Sequence, residues 1–212
     1  MSETIHSGSL REFSLTPAQD WLPPFSMGGK RVLDIGCANG KDLTHEMYAN
    51  AQERCGVDLD ANAIEAGRRM FPSLDLRVTS AERLPFPDGY FDVVTSRVAL
   101  PYVNIPLALS EISRVLRANG YIYLTLHDFK LQLRWTMKAA KSLAWKRVID
   151  FSYVTVASVS YALLDFVPAR PWKGTRETFQ FCNPMCRSLQ RLGFKEITVE
   201  KARYFSVTAT KG

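Results

Sequence analysis

Short apolar runs and longer amphipathic segments alternate between residues 30 and 126. Five of the runs are short and rich in β-branched or aromatic residues, and they predict strands at residues 30–36, 54–58, 74–78, 91–95 and 121–126. Apolar residues at helical spacing predict a helix in three of the intervals, at residues 41–50, 61–71 and 105–117. This alternation is typical of right-handed βαβ units, so it predicts a mostly parallel sheet with helices on both faces.

The alternation of strand and helix patterns ends after residue 126. Residues 129–147 have a helical pattern and are basic, and residues 151–167 are mostly apolar. We therefore predict a helical insertion over residues 127–178 that forms a lid after the fifth strand. The apolar stretch between Asp150 and Asp165 holds about 14 residues, fewer than the ~20 that a helix needs to cross a bilayer.

Regular structure returns near the C-terminus. Asn183 followed by Pro184 predicts a capped helix at residues 185–192, and residues 194–200 and 204–210 predict an antiparallel hairpin. The hairpin brings the strand count to seven. We therefore expect one α/β domain over residues 1–212, with a Rossmann-like, doubly wound, seven-stranded and mostly parallel sheet whose last strand is antiparallel. Residues 1–27 are expected to form an N-terminal cap.

The composition fits a protein of the cytoplasm. Hydrophobic residues make up 46% of the 212 residues and charged residues 23%, as in ordinary globular domains. The first residues do not combine a basic segment with an apolar one, as a secretory signal would. The four cysteines do not form the framework of a secreted disulfide protein. We therefore expect a cytoplasmic protein.

Charge is unevenly distributed along the chain. Residues 1–126 hold 12 basic and 15 acidic residues, whereas residues 127–212 hold 15 basic and 6 acidic ones. Such asymmetry suggests an anionic partner, either nucleic acid or a membrane surface. A basic face that is simply solvated explains the same count, and it stays an open alternative.

The loop after the first predicted strand carries the first chemical signal. Gly36 and Gly40 flank a tight turn, where the absence of a Cβ lets a ligand approach the backbone. Asp58 closes the second predicted strand, and a carboxylate there can accept hydrogen bonds from both hydroxyls of a ribose. The alternative for Asp58 is a helix cap before Ala61. Together, the loop and the acid favour a nucleoside site.

A nicotinamide enzyme is the first competing interpretation. Its Gly-x-Gly-x-x-Gly fingerprint needs a middle glycine so that a pyrophosphate can approach, and Ala38 stands there instead. Asp34, just before the loop, suits a ligand with a positive end better than a diphosphate. S-adenosylmethionine has a ribose, an adenine, an ammonium group and a sulfonium, and it has no phosphate.

Four segments in order now carry a family resemblance. Residues 32–40 (Val-Leu-Asp-Ile-Gly-Cys-Ala-Asn-Gly) resemble motif I of the class I S-adenosylmethionine-dependent methyltransferases, of the type 11-like kind, and residues 56–60 resemble their post-I motif. Residues 80–94 are similar to the segment that packs on adenine in that family. Residues 111–121 match its helix and turn before the fifth strand. The resemblance covers residues 30–126 well and the C-terminus loosely.

The resemblance implies a set of cofactor-binding residues. Asp58 would hold the ribose, Leu59 would pack on adenine, and Ser80, Ala81 and Glu82 would meet the adenine edge. The methionine side would be lined, partly through the backbone, by residues of the loop and of the fourth strand's end: Asp34, Gly36, Cys37, Ala38, Gly40 and Arg97. Ser80 stands where an aspartate is common in the family, which leaves Glu82 or water as the partner of the adenine amino group.

The implied reaction is in-line displacement at the donor methyl group by an atom of the acceptor. Because proximity and orientation alone can be worth ~7–11 kcal/mol, the reaction needs no catalytic triad. The catalytic residues stay unknown. Tyr102, His127 and Asp128 are candidates for a general base, and a structural hydrogen bond is the alternative for His127. No metal site is expected, because Cys182 and Cys186 have no neighbouring third ligand in sequence.

The predicted insertion would select the acceptor. Its aromatic and aliphatic residues suggest an apolar chamber for a small or lipid-like molecule that is methylated on O, N or C. Residues 130–167 also resemble an interfacial anchor for peripheral membrane contact. An RNA-directed enzyme using the basic C-terminal half is one alternative, although the sequence lacks the Pro-Cys and Asn-Pro-Pro-Tyr type motifs of base methylation. A methyltransferase-like scaffold without activity is the other.

Overall fold

The computed structural model describes residue 23 and residues 26–126, 145–170, 176–201 and 205–212. Within these ranges seven strands form one sheet: β1 (Arg31–Ile35), β2 (Glu53–Asp58), β3 (Asp75–Val78), β4 (Phe91–Arg97), β5 (Leu116–Leu126), β6 (Phe194–Lys201) and β7 (Phe205–Lys211). The spatial order is β3-β2-β1-β4-β5-β7-β6. The strands from β3 to β5 are parallel, and β7 runs antiparallel to both of its neighbours. The predicted fold class is confirmed.

The described residues also form four α-helices: α1 (Ala61–Met70), α2 (Ile105–Val115), α3 (Trp145–Leu164) and α4 (Cys182–Arg191). Helix α2 shows why these segments fold as they do. Its Ile105, Leu109 and Ile112 recur at helical spacing and are completely buried against the sheet. The Asp60 side chain caps α1 by accepting hydrogen bonds from the amides of Asn62 and Ala63, at 2.9 and 3.1 Å.

The prediction of a helix at residues 41–50 is wrong. The segment instead forms two 3-10 turns, Lys41–Thr44 and Glu46–Tyr48. His45 separates them with an extended backbone, and its Nδ1 accepts the Met47 amide at 3.3 Å. The Thr44 hydroxyl donates to the Lys41 carbonyl at 2.7 Å, a local bond that competes with helix propagation. No α-helix dipole therefore follows the glycine loop.

The last helix also differs from its prediction. Helix α4 begins at Cys182, so Asn183 and Pro184 lie within its first turn, and Phe181 occupies the N-cap without a side-chain hydrogen bond. Pro184 is tolerated there because its missing N–H would have no intrahelical partner in the first turn. The predicted hairpin is confirmed, although both strands extend one residue further at their C-terminal ends.

The predicted insertion is described only from Trp145 onward, with residues 171–175 excepted. Helix α3 packs on α4 through Tyr161, which is completely buried and whose hydroxyl lies 3.2 Å from Ser188 Oγ. None of the described helices combines the length and hydrophobicity needed to cross a membrane. Most of the predicted cap at residues 1–27 and the basic stretch up to residue 144 lie outside the described residues.

Candidate functional site

The loop after β1 is tied to the end of β2 by backbone hydrogen bonds. The amides of Gly36 and Cys37 both donate to the Val57 carbonyl, at 2.8 and 3.1 Å. Gly36 has a left-handed backbone with φ of 77°, and a Cβ built there would lie 2.2 Å from the Ala99 Cβ. Glycine is therefore required at position 36 for two separate reasons, its dihedral angle and its contact with the segment after β4.

Asp58 is positioned by the same loop. Its carboxylate accepts the Ala38 amide at 2.8 Å through Oδ2 and the Asp60 amide at 2.9 Å through Oδ1. Each carboxylate oxygen can accept a second hydrogen bond, so the group can still bind hydroxyls of a ligand. Leu59 follows it with 66% of its surface exposed, which leaves a large apolar side chain in water beside the acid.

A cleft of about 290 Å³ opens at the carboxyl ends of the parallel strands, close to the lower end of the range for small-molecule sites, about 300–1,000 Å³. It is lined by the ends of β1, β2 and β4 and by the segments that follow β2, β3 and β4: Ile35, Gly36, Val57, Asp58, Leu59, Thr79, Ala81, Arg97, Val98, Ala99, Tyr102 and Val103. Ligands of open parallel sheets bind at this edge.

The structure describes twelve of the predicted site residues and brings six of them together in this cleft. Of the residues proposed from sequence, Gly36, Asp58, Leu59, Ala81, Arg97 and Tyr102 line it. Sequence reasoning missed the other six lining residues: Ile35, Val57, Thr79, Val98, Ala99 and Val103. Their signal was positional, because they lie at the carboxyl ends of β1 and β2 or in the segments that follow β3 and β4, where a parallel sheet exposes its ligand edge.

Cys37, Ala38 and Gly40 were also predicted to bind the cofactor, but they are not among the residues that line the cleft. The Cys37 side chain is 6% exposed, and its Sγ lies only 2.6 Å from the position of a Cβ on Gly56, so it faces the core. Ala38 has a left-handed φ of 49° and directs its amide to Asp58. Gly40, with a φ of 75°, packs beside Leu76.

Ser80 and Glu82 are engaged with the chain itself. Ser80 Oγ accepts the Glu82 amide at 3.1 Å. Glu82 Oε1 accepts the Asn104 amide at 2.8 Å and lies 3.7 Å from Arg176 Nη1. The Glu82 carboxylate thus holds the N-terminus of α2 against the segment after β3, and neither residue is among those that line the cleft.

Asp34 lies in a second, smaller cavity behind the loop, together with Asp42, Thr95 and Arg97. Thr95 Oγ1 donates to Asp34 Oδ1 at 2.9 Å. Burial raises the pKa of Asp34 from its ordinary 3.8 to about 7, and the negative charge of Asp42 adds to this rise. Arg97 forms an ion pair with Asp42 and lines both cavities, so it joins the two parts of the site.

The three proposed bases differ in what the structure shows. Tyr102 lines the cleft and is 47% exposed. Burial of its ring and the nearby Glu177 carboxylate raise the pKa of Tyr102 above its ordinary value of 10, against the opposing effect of Arg170. His127 and Asp128 lie outside the described residues, so their roles stay predictions.

A twisted parallel sheet, a glycine loop after β1 and a carboxylate at the end of β2 define a nucleoside-binding domain of the Rossmann-like class. The comparisons with known proteins narrow this class. A family model described as "Methyltransferase domain" matches residues 33–124. The S-adenosylmethionine-dependent methyltransferase structure from Mesorhizobium loti has the same fold, with a TM-score of 0.60 at 15% identity over 92% of this chain and 96% of that one.

Two similar proteins have names that state a methyltransferase activity. The chain is 27% identical to a fatty-acid O-methyltransferase of Mycolicibacterium smegmatis over 96% of its own length and 75% of the relative. It is 38% identical to a demethylmenaquinone methyltransferase of Symbiobacterium thermophilum, over 43% of its own length and 40% of that relative. Residues 33–124 thus match a methyltransferase domain, and the chain has the fold of S-adenosylmethionine-dependent methyltransferases, which points to S-adenosyl-L-methionine as the cofactor.

The donor groups of the site fit this cofactor. Asp58 offers carboxylate oxygens for ribose hydroxyls, and the exposed Leu59 offers an apolar surface for a purine. Asp34 and Asp42 place carboxylates in the second cavity, where an ammonium group would be favourable. Among the described residues that line the cleft, Arg97 is the single basic one, and its side chain is paired with Asp42. This donor set suits a cofactor without phosphates.

Proposed function

We propose that this protein transfers the methyl group of S-adenosylmethionine to an O, N or C atom of a small or lipid-like, partly apolar acceptor. The observation that carries the proposal is the Asp58 carboxylate, held at the mouth of the cleft by the amides of Ala38 and Asp60. The first relative named above acts on fatty acids, which supports an acceptor with an apolar body.

The chain's contribution to the reaction is alignment and exclusion of water. When bound, the cofactor supplies a methyl group on a positively charged sulfur, which is an intrinsically good leaving centre. Asp58 and Leu59 would fix the nucleoside, and Asp34 with Asp42 would hold the ammonium end. Positioning of this kind can supply ~7–11 kcal/mol of the barrier reduction.

The acceptor would enter beside Tyr102. The segment that includes Glu177 and Thr178 runs along this side of the cleft, because the Thr178 amide donates to the Pro101 carbonyl at 2.8 Å. Arg170 is 8% exposed and forms an ion pair with Glu177. We infer that residues 127–178 form the lid over this acceptor side, since their described part connects α3 to the cleft rim.

Tyr102 is suited to orienting an acceptor. Because the pKa of its phenol is raised, the hydroxyl keeps its proton at neutral pH. It can therefore donate a hydrogen bond to an acceptor oxygen or nitrogen, but it offers no phenolate to remove a proton. An acceptor that is already ionised, such as a carboxylate, needs no base at all.

A direct test has two stages. Titration calorimetry with S-adenosylhomocysteine should first show binding to the purified full chain. Transfer of a labelled methyl group should then be followed with a long-chain fatty acid, a phenol with an alkyl chain, an aliphatic amine and total RNA. We expect transfer to one of the apolar small molecules. Absence of binding heat would indicate a scaffold, and transfer to RNA alone would contradict the proposed acceptor class.

A further inference from the structure

Helix α3 carries a row of large apolar side chains that face water. Val156 is 60% exposed and Leu163 is 77% exposed. Further members of the row lie at helical spacing or just beyond the helix end, all more than 40% exposed: Ile149, Val159, Leu164 and Phe166. We call these six residues the apolar stripe. Surfaces of this kind mark an interaction site rather than ordinary solvent contact.

The stripe is not the face that packs on the domain. The opposite side of α3 carries Val154, Ala157 and Tyr161, which are at most 1% exposed. Tyr161 contacts Met185 and Ser188 of α4, so the packing face is already occupied. Residues 151–164 contain no charged residue. A helix without charges that is covered on one side and carries a further apolar row on the other is suited to a second apolar environment.

We propose that the apolar stripe docks on the surface of an anionic membrane, with α3 lying in the plane of the interface. Charge complementarity selects this partner. Residues 127–147, which lead into the stripe, hold six basic residues and one acidic residue. Lysines and arginines beside an apolar helix face are typical of helices that bind anionic lipid from the water side.

The same charges disfavour a second copy of the chain as the partner. Each copy carries a net charge of +6, so two copies that paired through their stripes would repel each other at short range. A membrane surface instead attracts them. Docking on the membrane also extends the proposed function, and its biological purpose rests on that function. A lipid-like acceptor is held in the bilayer, and an enzyme docked there meets it at high local concentration.

The experiment is vesicle flotation with the full chain and without cofactor or acceptor. Vesicles of phosphatidylcholine alone are compared with vesicles in which about a quarter of the lipid is phosphatidylglycerol. We expect co-flotation with the anionic vesicles, weakened about tenfold or more by Leu163→Ser and again by Val156→Ser, because each removes a large apolar group from the interface. Replacing Lys146 and Arg147 by Gln should weaken binding about fivefold for each charge.

Leu107→Ser is the matched control, because Leu107 is 50% exposed on α2 and is not part of the stripe. It should float as the unaltered chain does. Flotation of Leu163→Ser equal to that of the unaltered chain would overturn the proposal. If the melting temperature of this variant also fell, the stripe would instead pack against another part of the chain. The proposal would also be overturned if the unaltered chain did not float but sedimented as a dimer that Leu163→Ser dissociates. That result would favour self-association through the stripe. Binding of S-adenosylhomocysteine is measured separately, so loss of flotation leaves the proposed function standing.

Discussion

The backbone amide of Ala38 donates a 2.8 Å hydrogen bond to Oδ2 of Asp58. This bond joins the loop after β1 to the end of β2, so these two parts of the proposed nucleoside site fix each other's position. Ala38 reaches this position with a left-handed φ of 49°, where an L-residue is strained by about 1–2 kcal/mol. The strain is retained at the point where the loop must present its amide to the carboxylate.

Asp58→Asn should weaken binding of S-adenosylhomocysteine by at least about tenfold. A hydrogen bond to a charged group contributes about 1.5–3 kcal/mol, and the amide both loses the charge and turns a donor toward either the loop or the ligand. Titration calorimetry at neutral pH measures the effect. The melting temperature of the free protein should also fall, because the carboxylate accepts two backbone amides.

Asp60→Asn is the matched control for that variant. Asp60 lies two residues away and caps α1 through Oδ1, a role that asparagine fills about equally well. Its affinity for S-adenosylhomocysteine should stay within about twofold of the unaltered chain. Equal losses for both variants would mean that Asp58 acts only through the fold of this turn.

Gly36→Ala should destabilise the protein more than Gly29→Ala. Both glycines have a left-handed φ, 77° and 68°, so alanine costs about 1–2 kcal/mol at either position. Only at Gly36 would the new Cβ lie 2.2 Å from the Ala99 Cβ, whereas nothing lies within 4 Å at Gly29. Urea unfolding should therefore show an additional loss of at least about 1–3 kcal/mol for Gly36→Ala, as for overpacking elsewhere.

The same substitution should also remove cofactor binding, because Gly36 lines the cleft and the segment at Ala99 would have to move. Gly29→Ala should bind S-adenosylhomocysteine normally at a temperature where it is folded. If both variants lose equal stability and keep binding, the close approach of the two loops has no part in the site.

Arg114→Lys should lower the free energy of unfolding by about 2–3 kcal/mol. The Arg114 guanidinium donates two hydrogen bonds of 2.7 Å to Glu111 and further bonds to Asp88 and to the carbonyls of Leu84 and Phe86. Lysine is a point charge and cannot reproduce this fork. Arg69→Lys, in the exposed pair with Glu65, should cost less than about 0.5 kcal/mol in the same urea series.

Sequence patterns predicted the sheet because strand length, alternation and turn residues are local properties. Asp58 could be assigned because a strand end is visible in the sequence and parallel strands present that end to the ligand. The prediction of a helix after Gly40 was wrong because local hydrogen bonds, such as the one from the Thr44 hydroxyl to the Lys41 carbonyl, compete with the helix. Its apolar residues Leu43 and Tyr48 are buried as expected, yet the backbone reaches that burial through two short turns separated by the extended His45.

The directions of individual side chains could not be predicted from the sequence either. Glu82 lies in a segment that resembles the adenine contact of the family, but its carboxylate accepts the Asn104 amide at the start of α2. Cys37 follows the loop glycine, but its thiol faces Gly56 in the core. Such choices depend on which neighbours long-range packing brings close, and residue spacing does not encode them.

The stability of the free protein should fall as pH rises toward 7, because of Asp34. Its pKa is raised from 3.8 to about 7 in the folded chain. Between these values the folded state keeps a proton that the unfolded state has lost, so the free energy of unfolding decreases with pH and levels off above about 7. Relative to Asp34→Asn, which carries no titrating group, the unaltered chain should lose about 2–3 kcal/mol between pH 5 and pH 7.

Cofactor binding should offset the free-energy cost of ionising Asp34 in the folded chain. An ammonium group near Asp34 favours the carboxylate form, so binding of S-adenosylhomocysteine should release a fraction of a proton near neutral pH, and affinity should rise between about pH 6 and pH 8. Calorimetry in two buffers of different ionisation enthalpy measures the proton directly. Asp34→Asn should bind more weakly and should release none. Equal proton release by the variant would assign the titration to another group and remove Asp34 from the binding step.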